Sequence, residues 1–290
     1  MTPRILVVGS SGQLGTALRR LGDPAITCAG RPVIDVMRPD TIMAAVAAAR
    51  PDVVVNASAF TAVDAAEADE AGALDVNARG AALLAAAAGE AGAPIIHVST
   101  DYVFAGDKGS PYLEDDATGP LTAYGRSKLA GEGTVARANP RHVIVRTSWL
   151  FGTSDRTFVA SVLRLARERE RIEMVADQLG SPTFAGDLAA ALVAMATDIA
   201  GREDYDWGVR HVAGAHASRF EFAEAVLDAA AAHGMSRPEL VPTRLASFKA
   251  AAPRPLDTRL DSRFPGGRTR SFREAVPALV AELIARQSAG

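Results

Sequence analysis

Apolar residues in the first half of the chain gather into five short runs, at positions 4–8, 25–29, 52–56, 94–99 and 142–147. Near-continuous apolar runs of this length fit strands covered on both faces, whereas a strand with one wet face would alternate. Between them lie longer stretches rich in Ala and Leu, at 13–21, 40–49, 67–91 and 123–138, which read as helices. Regular alternation of strand and helix predicts βαβ units, a parallel sheet and right-handed crossovers.

The second half is less regular. Helices are expected at 157–169, 185–200, 220–232 and 271–286, one strand at 209–213, and irregular chain through a Pro- and Arg-rich stretch at 238–265. The fold class that follows is α/β, a Rossmann-like doubly wound parallel sheet with a smaller C-terminal substrate lobe. Residues 1–150 are expected to form the dinucleotide-binding part, with later segments returning to it, and residues 151–290 mostly a substrate-binding lobe. No internal repeat is visible, and the Ala-rich run at 81–88 belongs to a helical pattern.

Composition narrows the function classes. With a net charge of −3, the chain carries no basic field for nucleic acid or an acidic membrane surface. Cys28 is the one cysteine, so an internal disulfide is excluded and a cysteine-built metal site is not expected; a small buried residue on a strand is expected there. The opening Ile5-Leu6-Val7-Val8 is too short for a secretory signal, and no apolar run is long enough to span a bilayer. The cytoplasm is the expected location.

The first apolar run leads into Gly9-Ser10-Ser11-Gly12-Gln13-Leu14-Gly15 and then a helical pattern. Glycines at such a junction serve a tight turn, close approach of backbone to a pyrophosphate, and close helix–strand packing. The helix that follows offers free N–H groups and the positive end of its dipole to phosphates. A preference for NAD usually shows as an acidic residue at the end of the second strand, which here ends Ala29-Gly30-Arg31. A guanidinium at Arg31 favours the 2′-phosphate of NADPH, with NADH left open and a solvated loop charge the other reading of Arg31. Asp35 lies further on and suits the adenine side.

Tyr124 and Lys128 stand four apart, on one face of a predicted helix. A free phenol titrates near 10, too high for efficient acid–base work at neutral pH, and a neighbouring ammonium lowers that value. With four Tyr and three Lys in 290 residues, chance gives such a pair roughly 0.04 times. Ser99 and Thr100 close the fourth apolar run, where open α/β sheets place their ligands, and a hydroxyl at Thr100 suits a substrate carbonyl. His97, inside that run, reads as a satisfied core histidine.

Several blocks together resemble the dTDP-4-dehydrorhamnose reductase family of the extended short-chain dehydrogenase/reductase superfamily. They are Gly12-Gln13-Leu14-Gly15, the stretch from Asn56 through Phe60-Thr61-Ala62-Val63 to Asp64, Ser99-Thr100-Asp101-Tyr102-Val103-Phe104 and Tyr124-Gly125-Arg126-Ser127-Lys128. Arg146-Thr147-Ser148-Trp149, Asp177-Gln178-Leu179-Gly180 and Arg254-Pro255 continue the likeness over most of the chain. The resemblance implies NAD(P)H-dependent reduction of a nucleotide-sugar ketone at C4, the last step of dTDP-rhamnose synthesis, with Thr100, Tyr124 and Lys128 as the catalytic triad. It implies a cofactor lined by Gly12, Gln13, Leu14, Asp35, Val36, Ala59, Phe60, Thr61, Val98 and Lys128, and a sugar touched by Thr100, Asp101 and Trp149. A core tryptophan is the other reading of Trp149. No metal site is carried over, and a homodimer is left open. The alternatives are another nucleotide-sugar reductase or epimerase, or a non-catalytic NADP-binding regulatory subunit. The sequence departs from the family pattern at Phe60, at Ala105-Gly106 and at Leu256-Asp257-Thr258.

Overall fold

The structure, a computed structural model, describes residues 3–288, so the outermost residues of both expected regions lie outside it. All five apolar runs are strands: β1 (Ile5–Val8), β2 (Ile26–Ala29), β3 (Val53–Asn56), β4 (Ile95–Thr100) and β5 (His142–Thr147). Later strands are β6 (Leu150–Phe151), β7 (Arg171–Val175), β8 (Leu179–Gly180), β9 (Thr183–Phe184), β10 (Gly208–His211), β11 (Ala217–Ser218) and β12 (Glu239–Thr243). The helices are α1 (Gln13–Arg20), α2 (Pro39–Ala49), α3 (Val63–Ala68), α4 (Glu70–Leu74), α5 (Ala81–Glu90), α6 (Ala123–Ala138) and α7 (Phe158–Glu168). They continue with α8 (Ala185–Ile199), α9 (Arg219–Ala231) and α10 (Phe272–Ser288). No described helix is long and apolar enough to cross a membrane.

Six strands form one parallel sheet in the order β10-β5-β4-β3-β1-β2. From β1 the chain runs outward to β2, then crosses back to place β3 on the other side of β1. The strand order therefore reverses between β1 and β3, where Val8 stands opposite Asn56. A crevice opens beyond the carboxyl ends of the strands at such a switch point.

Alternation along each strand splits the core in two. Ile5, Val7, Val53, Val55 and Ile96 pack on Leu14 and Leu18 of α1 and on Leu188 and Leu192 of α8. Leu6, Val8, Val54, Ile95 and Ile144 face the other way, onto Ile42 and Val46 of α2 and Leu84 of α5. Each fully buried aliphatic side chain contributes about 1.5–3 kcal/mol, which is why both sheet faces read as apolar. A third cluster joins α7, α9 and α10 around Phe222, whose ring stacks on Phe158 at 4.9 Å and meets Phe151 at 5.0 Å.

The expected helix over 67–91 is broken. Asp69 ends α3 and caps α4, its side chain accepting from the Gly72 N–H at 2.9 Å. The chain then winds one π-helical stretch, Asp75–Gly80, before α5 begins. A strand also lies inside the Pro- and Arg-rich segment: β12 pairs in parallel with β7, Leu240 opposite Ile172. Cys28 is half-buried, with Sγ 3.9 Å from the Gly15 carbonyl, and burial pushes its thiol pKa up.

Candidate active site

One cavity of about 810 Å³ runs along the carboxyl edge of the sheet, past the ends of β1, β3, β4 and β5. Its first wall is the glycine loop. Gly9 has φ +107°, and a Cβ there would stand 2.7 Å from the Ala57 carbonyl carbon, so both the turn and the approach of β3 demand glycine. Gly12 is the N-cap of α1 with no side-chain cap, and the first turn carries no acidic residue. The N–H groups at the start of α1 are thus left for an anion beside the cavity that Gly12, Gln13 and Leu14 line. Gln13 Oε1 is buried without a partner. The close glycine turn and the free N–H groups of α1 fit the pyrophosphate of a dinucleotide.

Of the other residues expected at the cofactor, Gly9, Arg31, Asp35, Val36, Ala59, Thr61 and Val98 also line this cavity. Arg31 is exposed and, among the described residues, makes no ion pair or hydrogen bond. Asp35 accepts from the Met37 N–H at 2.9 Å. Gly15 and Phe60 are not in the lining. Gly15 lies beneath the loop, where a Cβ would sit 2.3 Å from the Gly9 carbonyl oxygen. The Phe60 ring packs with Ala66, Ala73 and Ala123, while Asn77 holds its backbone, accepting from its N–H at 2.8 Å and donating to its carbonyl at 3.0 Å.

Thr100, Tyr124 and Lys128 meet at the other end of the cavity. Thr122 caps α6 by accepting from the Gly125 N–H at 2.9 Å, and a Cβ on Gly125 would lie 2.2 Å from the Tyr102 carbonyl oxygen. That glycine lets α6 press against the turn after β4, with the Tyr124 and Tyr102 rings 5.8 Å apart. Burial pushes the Tyr124 phenol above its ordinary value; Thr100 pulls it down, and Asp101 and Tyr102 push it further up. The downward pull expected from Lys128 is not found. Lys128 is 1% exposed, and its Nζ donates to the Val98 carbonyl at 2.7 Å and lies 3.3 Å from His97 Nε2. Burial lowers Lys128 to about 8, with Glu132 pulling it back up.

His97 is fully buried, and burial, then Lys128, hold it well below its usual value, so its ring is neutral. Asn56 Oδ1 accepts from the Ser58 N–H at 3.1 Å and its hydroxyl at 2.6 Å, which leaves the amide nitrogen facing His97 Nδ1 at 3.0 Å. The ring proton is thereby assigned to Nε2, an N–H turned toward the Lys128 ammonium.

Asp101 is a buried carboxylate, 2% exposed, accepting from Thr258 at 2.6 Å, Ser148 at 2.9 Å and Thr100 at 3.1 Å. Burial raises its pKa against those hydroxyls and Arg219. The Thr100 oxygen also accepts from the Tyr102 N–H at 3.2 Å. Trp149 holds a left-handed backbone, φ +45°, and its indole fills the space where a Cβ on Gly180 would lie 2.3 Å away. Its Nε1 is buried without a partner. The Arg219 guanidinium lies 3.5 Å from the centre of the Trp149 ring. Thr147, which belongs to a family block but was given no role, and Arg219, which stands in none of those blocks, also line the cavity. The Ser218–Glu221 capping box marks the start of α9 in sequence, yet it does not say what Arg219 faces. Among the described residues no group of three or more His, Cys, Asp or Glu could hold a metal ion.

A profile described as RmlD substrate binding domain matches residues 3–285. The chain belongs to the dTDP-4-dehydrorhamnose reductase family. It is 41% identical over 275 residues to the dTDP-4-dehydrorhamnose reductase of Burkholderia thailandensis, covering 89% of this chain and 90% of that one. A probable dTDP-4,6-dihydroxy-2-methyloxan-3-one 4-ketoreductase of Streptomyces antibioticus is 40% identical over 264 residues, covering 87% of this chain and 84% of that protein. A solved dTDP-4-dehydrorhamnose reductase of Bacillus anthracis in complex with NADP superposes with a TM-score of 0.88 at 32% identity, over 97% of this chain and 100% of that one.

Residues at and beside the departures from the family pattern make local contacts. Gly106 keeps φ +81°, and a Cβ there would meet Pro255 at 2.6 Å, so the glycine after Ala105 serves the contact with the late segment. In that segment Thr258 donates to Asp101 and Asp257 pairs with Arg259 at 2.7 Å. Arg254 pairs with Asp64 at 2.7 Å, joining two family blocks far apart in sequence.

Proposed function

We propose that this protein reduces the C4 ketone of dTDP-4-dehydro-L-rhamnose with NADPH to give dTDP-L-rhamnose, the last step of dTDP-rhamnose synthesis. The observation that carries the reading is one cavity with an uncapped helix N-terminus at one end and Thr100, Tyr124 and Lys128 at the other. A purely NADP-binding regulatory subunit has no need of the second end.

The cofactor, when bound, supplies the hydride. The N–H groups at the start of α1 would hold its pyrophosphate, Arg31 its 2′-phosphate, and Asp35 and Val36 the adenosine end. Ala59, Thr61 and Val98 would form the wall, with Lys128 at the nicotinamide ribose. Tyr124 gives its phenolic proton to the ketone oxygen, and its raised pKa keeps that proton in place at neutral pH. Thr100 orients the carbonyl. Its hydroxyl proton, held by Asp101 in this structure at 3.1 Å, turns to the substrate oxygen. Asp101 and Trp149 contact the sugar. On this reading residues 1–150 bind the dinucleotide and also bring Thr100, Asp101 and Trp149 to the sugar, and residues 151–290 form most of the substrate lobe.

The test is NADPH oxidation with dTDP-4-dehydrorhamnose as substrate. Turnover that needs both the sugar and this protein, and that falls about 10²–10⁴-fold in Tyr124→Phe, supports the reading. A second reading, a ketoreductase for a different dTDP-hexose, is favoured by the Streptomyces antibioticus relative at nearly equal identity. Turnover of another dTDP-4-keto sugar with none of dTDP-4-dehydrorhamnose would decide for it.

A further inference from the structure

Arg146 is the one buried arginine among the described residues, and Arg219 is partly buried. Arg146 is held by Glu132 through two bonds, at 2.9 and 2.7 Å. Arg219 has no such partner. Its side chain makes one long hydrogen bond, 3.4 Å, to the neutral Gln178 Oε1, and it forms no ion pair among the described residues. The carboxylate that acts on it is Asp101, already filled by three hydroxyl donors, and Arg254 opposes it with like charge. Trp149 lies under the guanidinium at 3.5 Å, and Phe158 is 5.2 Å away. Stacking fixes the plane of the fork and leaves its N–H edge for an anion.

We infer that Arg219 is the seat of the diphosphate of the nucleotide-sugar substrate. The inference rests on the function proposed above and adds a residue to it. A hexose ring offers this cation hydroxyl acceptors and no charge, whereas the diphosphate carries the counter-charge that a partly buried guanidinium lacks. The cofactor's own pyrophosphate has its place at the start of α1. Burial lowers Arg219 to about 10, the direction expected of a cation without its counterion. Trp149 then has two neighbours in the loaded site: the sugar, and the arginine that holds the phosphates.

The test uses the full chain and three probes by calorimetric titration: dTDP, thymidine and NADP⁺. Arg219→Gln should weaken dTDP roughly 10–100-fold, the range of a charged hydrogen bond, and leave thymidine and NADP⁺ within about twofold. Arg219→Lys should recover part of the loss through charge alone. In turnover, KM for the keto sugar should rise with kcat nearly unchanged. Unchanged dTDP affinity in Arg219→Gln, no dTDP binding by the wild type, or an equal loss for NADP⁺ would each overturn the assignment. Turnover by the wild type is scored separately. If it fails while dTDP still depends on Arg219, the reductase reading falls and the anion seat stands.

Discussion

A buried amine and a buried phenol shift in opposite directions for one reason: each resists charge where water is scarce. In Lys128 the lowering reaches about 8, while the Tyr124 phenol moves above its ordinary value. At neutral pH the tyrosine therefore keeps the proton it is proposed to give, and the lysine holds its own by a small margin. The sign of the pH dependence follows. Raising pH through about 8 removes the Lys128 proton from the free enzyme, so kcat/KM for the keto sugar should fall above that value. A flat profile well past it would show that this proton has no part in the reaction. Stability moves the other way. Between about 8 and the ordinary 10.5, the unfolded chain binds this proton and the folded chain does not, so the penalty of burying the ammonium, full below 8, fades as pH rises. Comparing wild type with Lys128→Met over that range isolates the effect from other groups.

Among the elements, the π-helical stretch Asp75–Gly80 supports the cavity wall proposed for the cofactor. It brings Asn77 inward, where one amide holds both backbone groups of Phe60 and donates to Ser127 at 2.8 Å. Ala59 and Thr61, on either side of Phe60, line the cavity. Asn77→Ala would leave the Phe60 N–H and carbonyl unpaired, a loss of about 1–3 kcal/mol of stability by denaturant titration, together with a higher KM for NADPH. An unchanged KM beside that loss would separate the turn's structural role from its effect on the cofactor. None of this was legible in sequence, since 67–91 reads as one Ala-rich helix and a π-turn leaves no mark in hydrophobic spacing. β1, β3, β4 and β5 were legible because each is buried on both faces, so apolar character alone declares them, while β2, a partly exposed edge strand, was legible as a short apolar run. β12 was hidden for the converse reason: it is half-exposed, contains Pro242 and pairs with one partner, leaving neither a run nor an alternation to read. Tyr124 and Lys128 were readable from spacing and Thr100 from its place at the end of a strand, but the direction of the Tyr124 shift was not. Four residues on one helix face bring two side chains near each other without saying that Lys128 turns to Val98 and His97 instead.

Across the whole molecule the cavity has two differently built ends, one proposed above for the dinucleotide and one for the sugar. The dinucleotide end is local, a strand, a glycine loop and a helix within the first residues of the chain, and its motif declares it. The sugar end is stitched from distant segments: Arg254 on Asp64, Thr258 on Asp101, and Gln178 Nε2 on the Pro255 carbonyl at 3.1 Å. Sequence spacing carries no trace of such contacts, which is why Arg219 went unmarked. The dinucleotide end also bears on cofactor choice. Arg31 stands at the rim with its guanidinium free among the described residues, and NADPH differs from NADH by the phosphate it would meet. A ligand at 100 times its Kd stabilises the folded chain by about 2.7 kcal/mol, so a denaturation midpoint measures this preference without any sugar present. At equal concentration NADPH should raise the midpoint more than NADH. Arg31→Ala should bring the two together by weakening NADPH about 10–100-fold, the range of a charge-assisted pair, with NADH unmoved. If both cofactors weaken alike, Arg31 shapes the loop after β2 and does not read the 2′-phosphate. If neither changes, the phosphate is met by another group at that rim.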